Sequence, residues 1–296
     1  MRKEITEKAL NIIRAKRKKN QDIFNAKMAV LENDNEYLKV NKEYLSLMIK
    51  NRKKEAYGEE TDALNEERLF KLVQQHKAKY GLENVSLNYN CPICKDEGYV
   101  NGKPCKCLKA EISKLLLQGS GFEKLEDFQP SIQTAGELEP LYKKMQEWCN
   151  KKSEKNLIYF SGPTGIGKTH LLECMANEFI VQGKMVIIVT SLDLSIDLKT
   201  FQRYFDEEIL KKYINADVLF IDDLGTEPIF QSVTIEYLYL IINERKMKNR
   251  RTVITSNLTF NDVYERYDER IFSRITDQKT SICINIKGED RRSIKK

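Results

Sequence analysis

No apolar run in the 296-residue sequence approaches the ~18 residues that a membrane span requires, so none is expected. The opening MRKEITEKALNIIRAKRKKN carries a charge every few residues and no apolar stretch ending in small residues, which argues against a secretory signal. Proline is absent before Pro92, and only Gly58 and Gly81 precede it among the glycines. The first ninety residues therefore hold almost nothing that breaks a helix. An even, evenly spaced cysteine set is also missing. The seven cysteines are odd in number, and four of them fall within seventeen residues, which excludes a secreted disulfide framework and points to a reduced cytoplasm. There is no internal repeat of 20–50 residues and no low-complexity tract.

Positive charge is present but uneven. Residues 1–80 hold 19 Lys+Arg against 13 Asp+Glu, which accounts for the whole net charge of +6; residues 81–296 hold 31 of each. The densest points are Lys16–Lys19 and Arg52–Lys54. Such a surface is either a solvated helix face or an attraction for nucleic acid or an acidic protein. Phe24, Met28, Leu31, Leu38, Leu45 and Ile49 recur at three/four spacing, as in a coiled-coil-like stripe with polar interruptions at Asn35 and Lys42. The run Glu32–Glu36 could instead split the stretch into two helices. A further helix is expected from about Asp62 to Lys79, with Leu64, Leu69, Leu72 and Val73 on one face. Too narrow to bury a large core alone, this region must pair with something.

The four clustered cysteines are Cys91, Cys94, Cys105 and Cys107, within CPICKDEGYVNGKPCKC. A C-x-x-C knuckle, a loop with Gly98 and Gly102, and a closing C-x-C suit a tetrahedral zinc ion bound by sulfur alone. No position is left open for water, so the metal is structural. It also supplies folding free energy to a segment that has almost no core. The alternatives are a redox pair or four unrelated thiols. Cys149, Cys174 and Cys283 sit among apolar residues and are expected to be ordinary core thiols.

The most informative run is Gly162-Pro163-Thr164-Gly165-Ile166-Gly167-Lys168-Thr169, a complete G-x-x-x-x-G-K-[ST]. It follows a short apolar strand at Leu157–Phe160 and opens an amphipathic helix that ends at Gly183. Loop amides at a helix N-terminus wrap the β-phosphate. Lys168 reaches the β- and γ-phosphates, and the Thr169 hydroxyl holds Mg²⁺. Asp217–Asp223 reads as a buried strand ending in two carboxylates: Asp222 to hold Mg²⁺ through water, Asp223 to orient or deprotonate the attacking water. A third strand ends at Asn257, within reach of a γ-phosphate. Further on, Arg270 and Arg274 stand one helical turn apart, suited to the arginine-finger role toward a neighbour's γ-phosphate. Lys287–Arg292 closes the series. Strands are expected at 157–161, 185–190, 217–222, 252–257 and 282–286, separated by helices, which makes a doubly wound α/β domain with its site at the carboxyl ends of the strands.

Beyond the phosphates, Ser191–Asn215 interleaves Phe201, Tyr204, Phe205 and Tyr213 with Lys199, Arg203, Lys211 and Lys212. That mixture offers either stacking and phosphate contacts to single-stranded DNA or an amphipathic helix packed on the sheet. Arg245, Lys246, Lys248, Arg250 and Arg251 form either a second candidate phosphate path or a solvated turn.

A charged helical opening, CPICKDEGY…CKC, GPTGIGKTHL, LFIDDLGTE, ITSN and ERIFSRI occur in this order, and together they resemble the DnaC/DnaI helicase-loader family and its relative, the IstB transposition helper ATPase. The resemblance spans nearly the whole chain. It implies a P-loop AAA+ (ASCE) core at 119–296, a zinc-binding segment at 86–118 and a helical helicase-interaction region at 1–85. It further implies a cytoplasmic ATPase that uses ATP and Mg²⁺, self-associates through the AAA+ part, and delivers a replicative DnaB-type helicase onto single-stranded DNA with no membrane involved. By the same resemblance, Gly162 to His170 cradle the nucleotide with Asp222, Asn257 is the sensor-1 residue, Arg270 or Arg274 is the finger, and Arg292 is the terminal arginine, although Arg291 replaces the usual aromatic. An IstB-like helper acting on DNA with a transposase shares the same core. A nucleotide-gated adaptor that scarcely hydrolyses ATP is a third reading, because Asp rather than Glu occupies position 223.

Overall fold

The computed structural model describes residues 2–128, 138–151, 153–288 and 290, and the chain forms two compact units, Asn11–Glu97 and Met1–Leu10 with Gly98–Lys296.

Helix α1 (Arg2–Met28) starts in the second unit; in the first, from Asn11 on, it runs into a 3₁₀ turn at Ala29–Asn33, and helices α2 (Asn35–Ala56) and α3 (Ala63–Lys79) follow. Asp34 makes the break. Its carboxylate accepts the Tyr37 amide at 2.9 Å, capping α2, and also meets Nδ1 of His76 at 3.2 Å. Buried Asn51 ties the end of α2 to the start of α3: its amide donates to Glu66 at 2.6 Å and its oxygen accepts the Asp62 amide at 3.1 Å. The small core is Leu31, Tyr37, Val73 and Leu82, flanked by Val40 and Tyr44. The stripe from Phe24 to Ile49 is therefore not one seam. Leu31 is buried, but Leu38, Leu45 and Ile49 are exposed, because the break at Asp34 turns α2 so that Tyr37, Val40 and Tyr44 face inward. Leu64 is likewise 85% exposed rather than on the inner face of α3.

The second unit resumes with a hairpin of β1 (Tyr99–Val100) and β2 (Lys103–Pro104). Its turn is Asn101-Gly102, both at positive φ (49° and 73°), the pairing a tight two-residue hairpin selects. Helix α4 (Lys106–Leu117) follows. Buried Ser113 on α4 donates to Lys184 O at 3.3 Å and accepts the Val186 amide at 2.9 Å. After α5 (Glu139–Asn150) come β3 (Leu157–Ser161), α6 (Lys168–Val181), β4 (Val186–Thr190), α7 (Ser191–Tyr204), α8 (Glu207–Asn215), β5 (Val218–Leu224), α9 (Thr234–Met247), β6 (Arg251–Ser256), α10 (Phe260–Tyr267), α11 (Glu269–Thr276) and β7 (Ser281–Asn285). The sheet has the order β4-β5-β6-β3-β7 with every pair parallel.

Both faces are covered, so the central strands are apolar throughout rather than alternating. Ile158 and Phe160 point to one side, against Met145 of α5 and Leu171, Met175 and Phe179 of α6. Leu157 and Tyr159 point to the other, against Leu194, Ile241, Val263 and Ile271. This is the expected doubly wound α/β AAA+ core. The strand order matters most for the site: β6 lies between β3 and β5, so the residue ending β6 stands between the phosphate loop and the acidic end of β5.

Candidate functional site

The loop from Gly162 to Gly167 leaves β3 and becomes the first turn of α6. Gly162 has φ 146°, and a Cβ there would fall 2.3 Å from the carbonyl oxygen of Ile286, so no other residue lets the loop turn this close to the end of β7. A cleft of about 460 Å³ opens over the loop, lined among others by Thr164, His170, Thr255 and Asn257.

Five of the residues singled out from the sequence meet at this cleft in one hydrogen-bonded set. Lys168 donates to the carbonyls of Gly162 and Pro163 (2.7 and 2.8 Å) and to Oδ1 of Asn257 (2.7 Å). The amide of Asn257 donates to Asp223 at 2.8 Å. Thr169 donates to both Asp222 oxygens at 3.1 and 3.2 Å, which places a hydroxyl and a carboxylate side by side as a divalent cation requires. Asp223 itself sits at φ 56°, where β5 shifts register against β6, and this turns its side chain toward Asn257.

Thr255 was not singled out from the sequence. Its hydroxyl donates to Asp222 at 2.6 Å and accepts the Asp223 amide at 2.9 Å, so it aligns both acids. Only the adjacency of β5 and β6 reveals this. Burial pushes the Asp222 carboxyl above its ordinary range; the Thr255 and Thr169 hydroxyls oppose the rise, and Asp223 adds to it. Two further groups emerge from the fold. Tyr142 on α5 reaches Nδ1 of His170 at 2.9 Å, with the two rings 5.7 Å apart. Burial holds His170 below its usual pKa. Glu173, one turn beyond Thr169, is pushed up to about 7 by burial and by Glu126 and Asp222.

Arg270 and Arg274 are not among the residues lining this cleft. Arg270 is exposed on α11 and pairs with Glu236 (3.1 Å) and Asp268 (2.9 Å); Arg274 donates to Asn243 at 2.9 Å. Arg292 lies outside the described residues.

The two basic stretches change meaning. Tyr213 is core, with its hydroxyl on Asp197 at 2.5 Å. Lys211 pairs with Glu207 and Lys212 with Asp197, leaving Tyr204 and Phe205 exposed at the end of α7. Arg245 is fully buried. It donates to Thr252 and to the carbonyls of Tyr213 and Ala216 at 2.9, 2.6 and 2.9 Å, and burial pushes its pKa down to about 9. It is a clamp on the sheet and no part of a phosphate path.

Along Cys91–Cys107, the four sulfurs lie within 4.8 Å of one another. Sulfurs bound to one zinc at ~2.3 Å stand roughly 3.8 Å apart, so the set fits a closed tetrahedral site without rebuilding the chain. Asp96 shapes the knuckle, accepting the amides of Cys91 (2.7 Å) and Asn90 (3.0 Å). Gly98 O accepts the Cys105 amide at 2.8 Å, and Cys105 caps α4. Cys149 and Cys174 are buried as expected. Cys283 is exposed, because β7 is an edge strand with one open face.

Fold and cleft together define a P-loop ATPase of the AAA+ class. The chain belongs to the family of IstB-like ATP binding proteins, which matches residues 123–296. It is 30% identical over 230 residues to the phage-like element PBSX protein XkdC of Bacillus subtilis (strain 168), a match covering 70% of this chain and 85% of that one. Over 121 residues it is 32% identical to the replicative helicase loader DnaC of Escherichia coli (strain K12), covering 39% of this chain and 48% of DnaC. Over 103 residues it is 38% identical to the chromosomal replication initiator protein DnaA of Campylobacter curvus (strain 525.92), covering 34% of this chain and 23% of DnaA. The chain thus matches about half the length of DnaC and about a quarter of DnaA. No helix among the described residues is long and apolar enough to cross a membrane.

Proposed function

We propose that this chain is an ATP-driven loader that binds a replicative DnaB-type helicase and delivers it to single-stranded DNA when replication starts. The observation that carries the reading is a cleft in which Lys168, Thr169, Asp222, Asp223 and Asn257 meet. Amides of the Gly162–Gly167 loop and of Lys168–His170 receive the phosphates, Lys168 exchanges its loop carbonyls for β- and γ-oxygens, and Thr169 and Asp222 hold Mg²⁺. Bound there, Mg²⁺ neutralises charge on the β- and γ-phosphates. Asp223, steadied by Asn257, orients the water whose oxygen attacks the γ-phosphorus as the bond to the β–γ bridging oxygen breaks. The remaining cation is Arg270 or Arg274 of a second copy, so hydrolysis is completed on assembly. The helical segment 1–85 presents the helicase-binding surface, and the segment 86–118 holds zinc.

A transposition or phage-element helper is the second reading, favoured by the family match over 123–296 and by XkdC, of which the chain covers 85%. Light scattering on a mixture with the source organism's replicative helicase, with and without ATP, tests the choice. A ring carrying several copies of this chain supports the loader. No complex in either condition overturns it and turns attention to duplex DNA with a transposase.

A further inference from the structure

A second polar cleft, of about 730 Å³, lies at the opposite end of the sheet from the phosphate loop, where β5 and β6 begin. Five residues of a strand span ~16 Å, so the two clefts do not share residues. Lys151, Lys184, Lys248, Arg250 and Arg251 border it, against the acids Glu154 and Asp217.

Asp217 already has its own cation, Lys109 at 3.0 Å, which is not part of the cleft. The arginines are held in place rather than free to follow a ligand. Arg251 donates to the carbonyls of Trp148 and Cys149 (2.8 and 3.1 Å) and lies 4.4 Å over the Trp148 ring; Arg250 donates to the carbonyls of Asn215 and Ala216. Carbonyls orient a guanidinium without neutralising it, so Arg251 faces the cleft with its charge intact, while Arg250 also stands 3.9 Å from Asp217, which balances part of its charge. The lysines are exposed. Lys151 and Lys248 have only same-helix partners, Glu147 and Glu244, at 2.9 and 3.0 Å, and such exposed pairs hold a lysine weakly.

We propose that this cleft binds the phosphate backbone of a nucleic-acid strand, separately from the ATP site. The cations are spread around an open space instead of converging on one point, which suits a chain of phosphates better than a single anion. No exposed aromatic offers a base a stacking surface, so recognition is of backbone and not of sequence. The neutral lining includes the amides of Asn156 and Asn249, which can donate to phosphate or sugar oxygens. The loader reading leaves the path of the strand open; this site supplies one segment of it, and stands on the cleft's own chemistry.

The test is fluorescence anisotropy of the full chain with a labelled oligothymidylate and with a duplex of equal length, titrated in salt. The triple variant K151E/K184E/K248E is compared with a control of equal charge change, K143E/K211E/K279E, on exposed lysines elsewhere. Losing three phosphate contacts lowers the slope of log affinity against log salt by about two and weakens binding at low salt on the order of tenfold or more. The control keeps the wild-type slope, and ATP affinity is unchanged in both. The proposal is overturned if the cleft variant binds like wild type, if both triples weaken alike, or if polyglutamate displaces the strand at a lower charge concentration than unlabelled oligonucleotide does. Wild-type protein that binds neither strand nor duplex sinks both this site and the single-stranded DNA part of the loader reading. Strand binding that survives in the cleft variant sinks this site alone.

Discussion

At the scale of single residues, the cleft is a set of groups held by one another. Lys168 rests on the carbonyls of its own loop and on Asn257, and Asn257 in turn holds Asp223. The Glu173 carboxyl, close to this set, is pushed up to about 7 from an ordinary 4.5. The sign follows from linkage: the folded chain holds this proton more tightly than the unfolded one, so the stabilising contribution is complete below about pH 4.5 and is lost as pH rises through about 7. The side chain is partly exposed, and solvent screening reduces the effect to about 1 kcal/mol, or roughly 2–4 °C in Tm. Melting curves of the nucleotide-free protein between pH 5 and 8, without magnesium, should show this fall, and Glu173→Gln should flatten it. Equal pH dependence in the two proteins would show that Glu173 carries no such charge penalty.

At the scale of elements, legibility follows burial. The five strands of the main sheet could be read to within two residues, because the central strands of a sheet covered on both faces are written as unbroken apolar runs. The acid and loop positions at the strand ends came with them. Thr255 did not, since its contact with Asp222 exists only because β6 lies beside β5, and strand order is a property of the whole sheet. Arg245 was misread for a related reason. A local run of basic residues does not say which of them faces inward, and this one is spent on carbonyls of the α8–β5 connection. Of the two N-terminal readings, the continuous stripe gives way to the split at Glu32–Glu36, because the Asp34 side-chain cap there overrides hydrophobic spacing. The cysteine segment is the element with the least core of its own. Its folding rests on the Asp96 carboxylate and, by our reading, on zinc. Purified protein should carry about one zinc per chain. Chelation should raise amide exchange across residues ~88–112 and leave ATP binding in place. Far less than one equivalent, or no change in exchange on chelation, would remove zinc from the account.

At the scale of the molecule, the cleft and α11 pose a single question. Arg270 is exposed and bound to two carboxylates, and Arg274 is half-buried with neutral partners on α9, yet neither lines the cleft of its own chain. Between α11 and the end of β5 stands a buried tie: Glu227 accepts the Gly225 amide at 2.8 Å and the hydroxyl of Tyr267, and Asp268 at φ 83° then starts α11. The start of α11, the helix that carries both arginines, is thus tied to the loop that follows Asp222 and Asp223. Mixing two inactive variants tests whether one copy completes another. Asp223→Asn binds ATP, lacks the water-orienting carboxylate and keeps both arginines; Arg274→Ala keeps the acids and lacks one candidate finger. Each alone should hydrolyse ATP at least about a hundredfold more slowly than wild type. Mixed in equal amounts, about a quarter of the contacts pair an intact cleft with an intact arginine, and turnover should recover in proportion. Repeating the mixture with Arg270→Ala identifies the finger, since only the arginine that crosses between copies gives both the loss and the recovery. If both arginine variants retain wild-type turnover, or if neither mixture recovers while light scattering shows the copies still assemble, the cleft works within one chain.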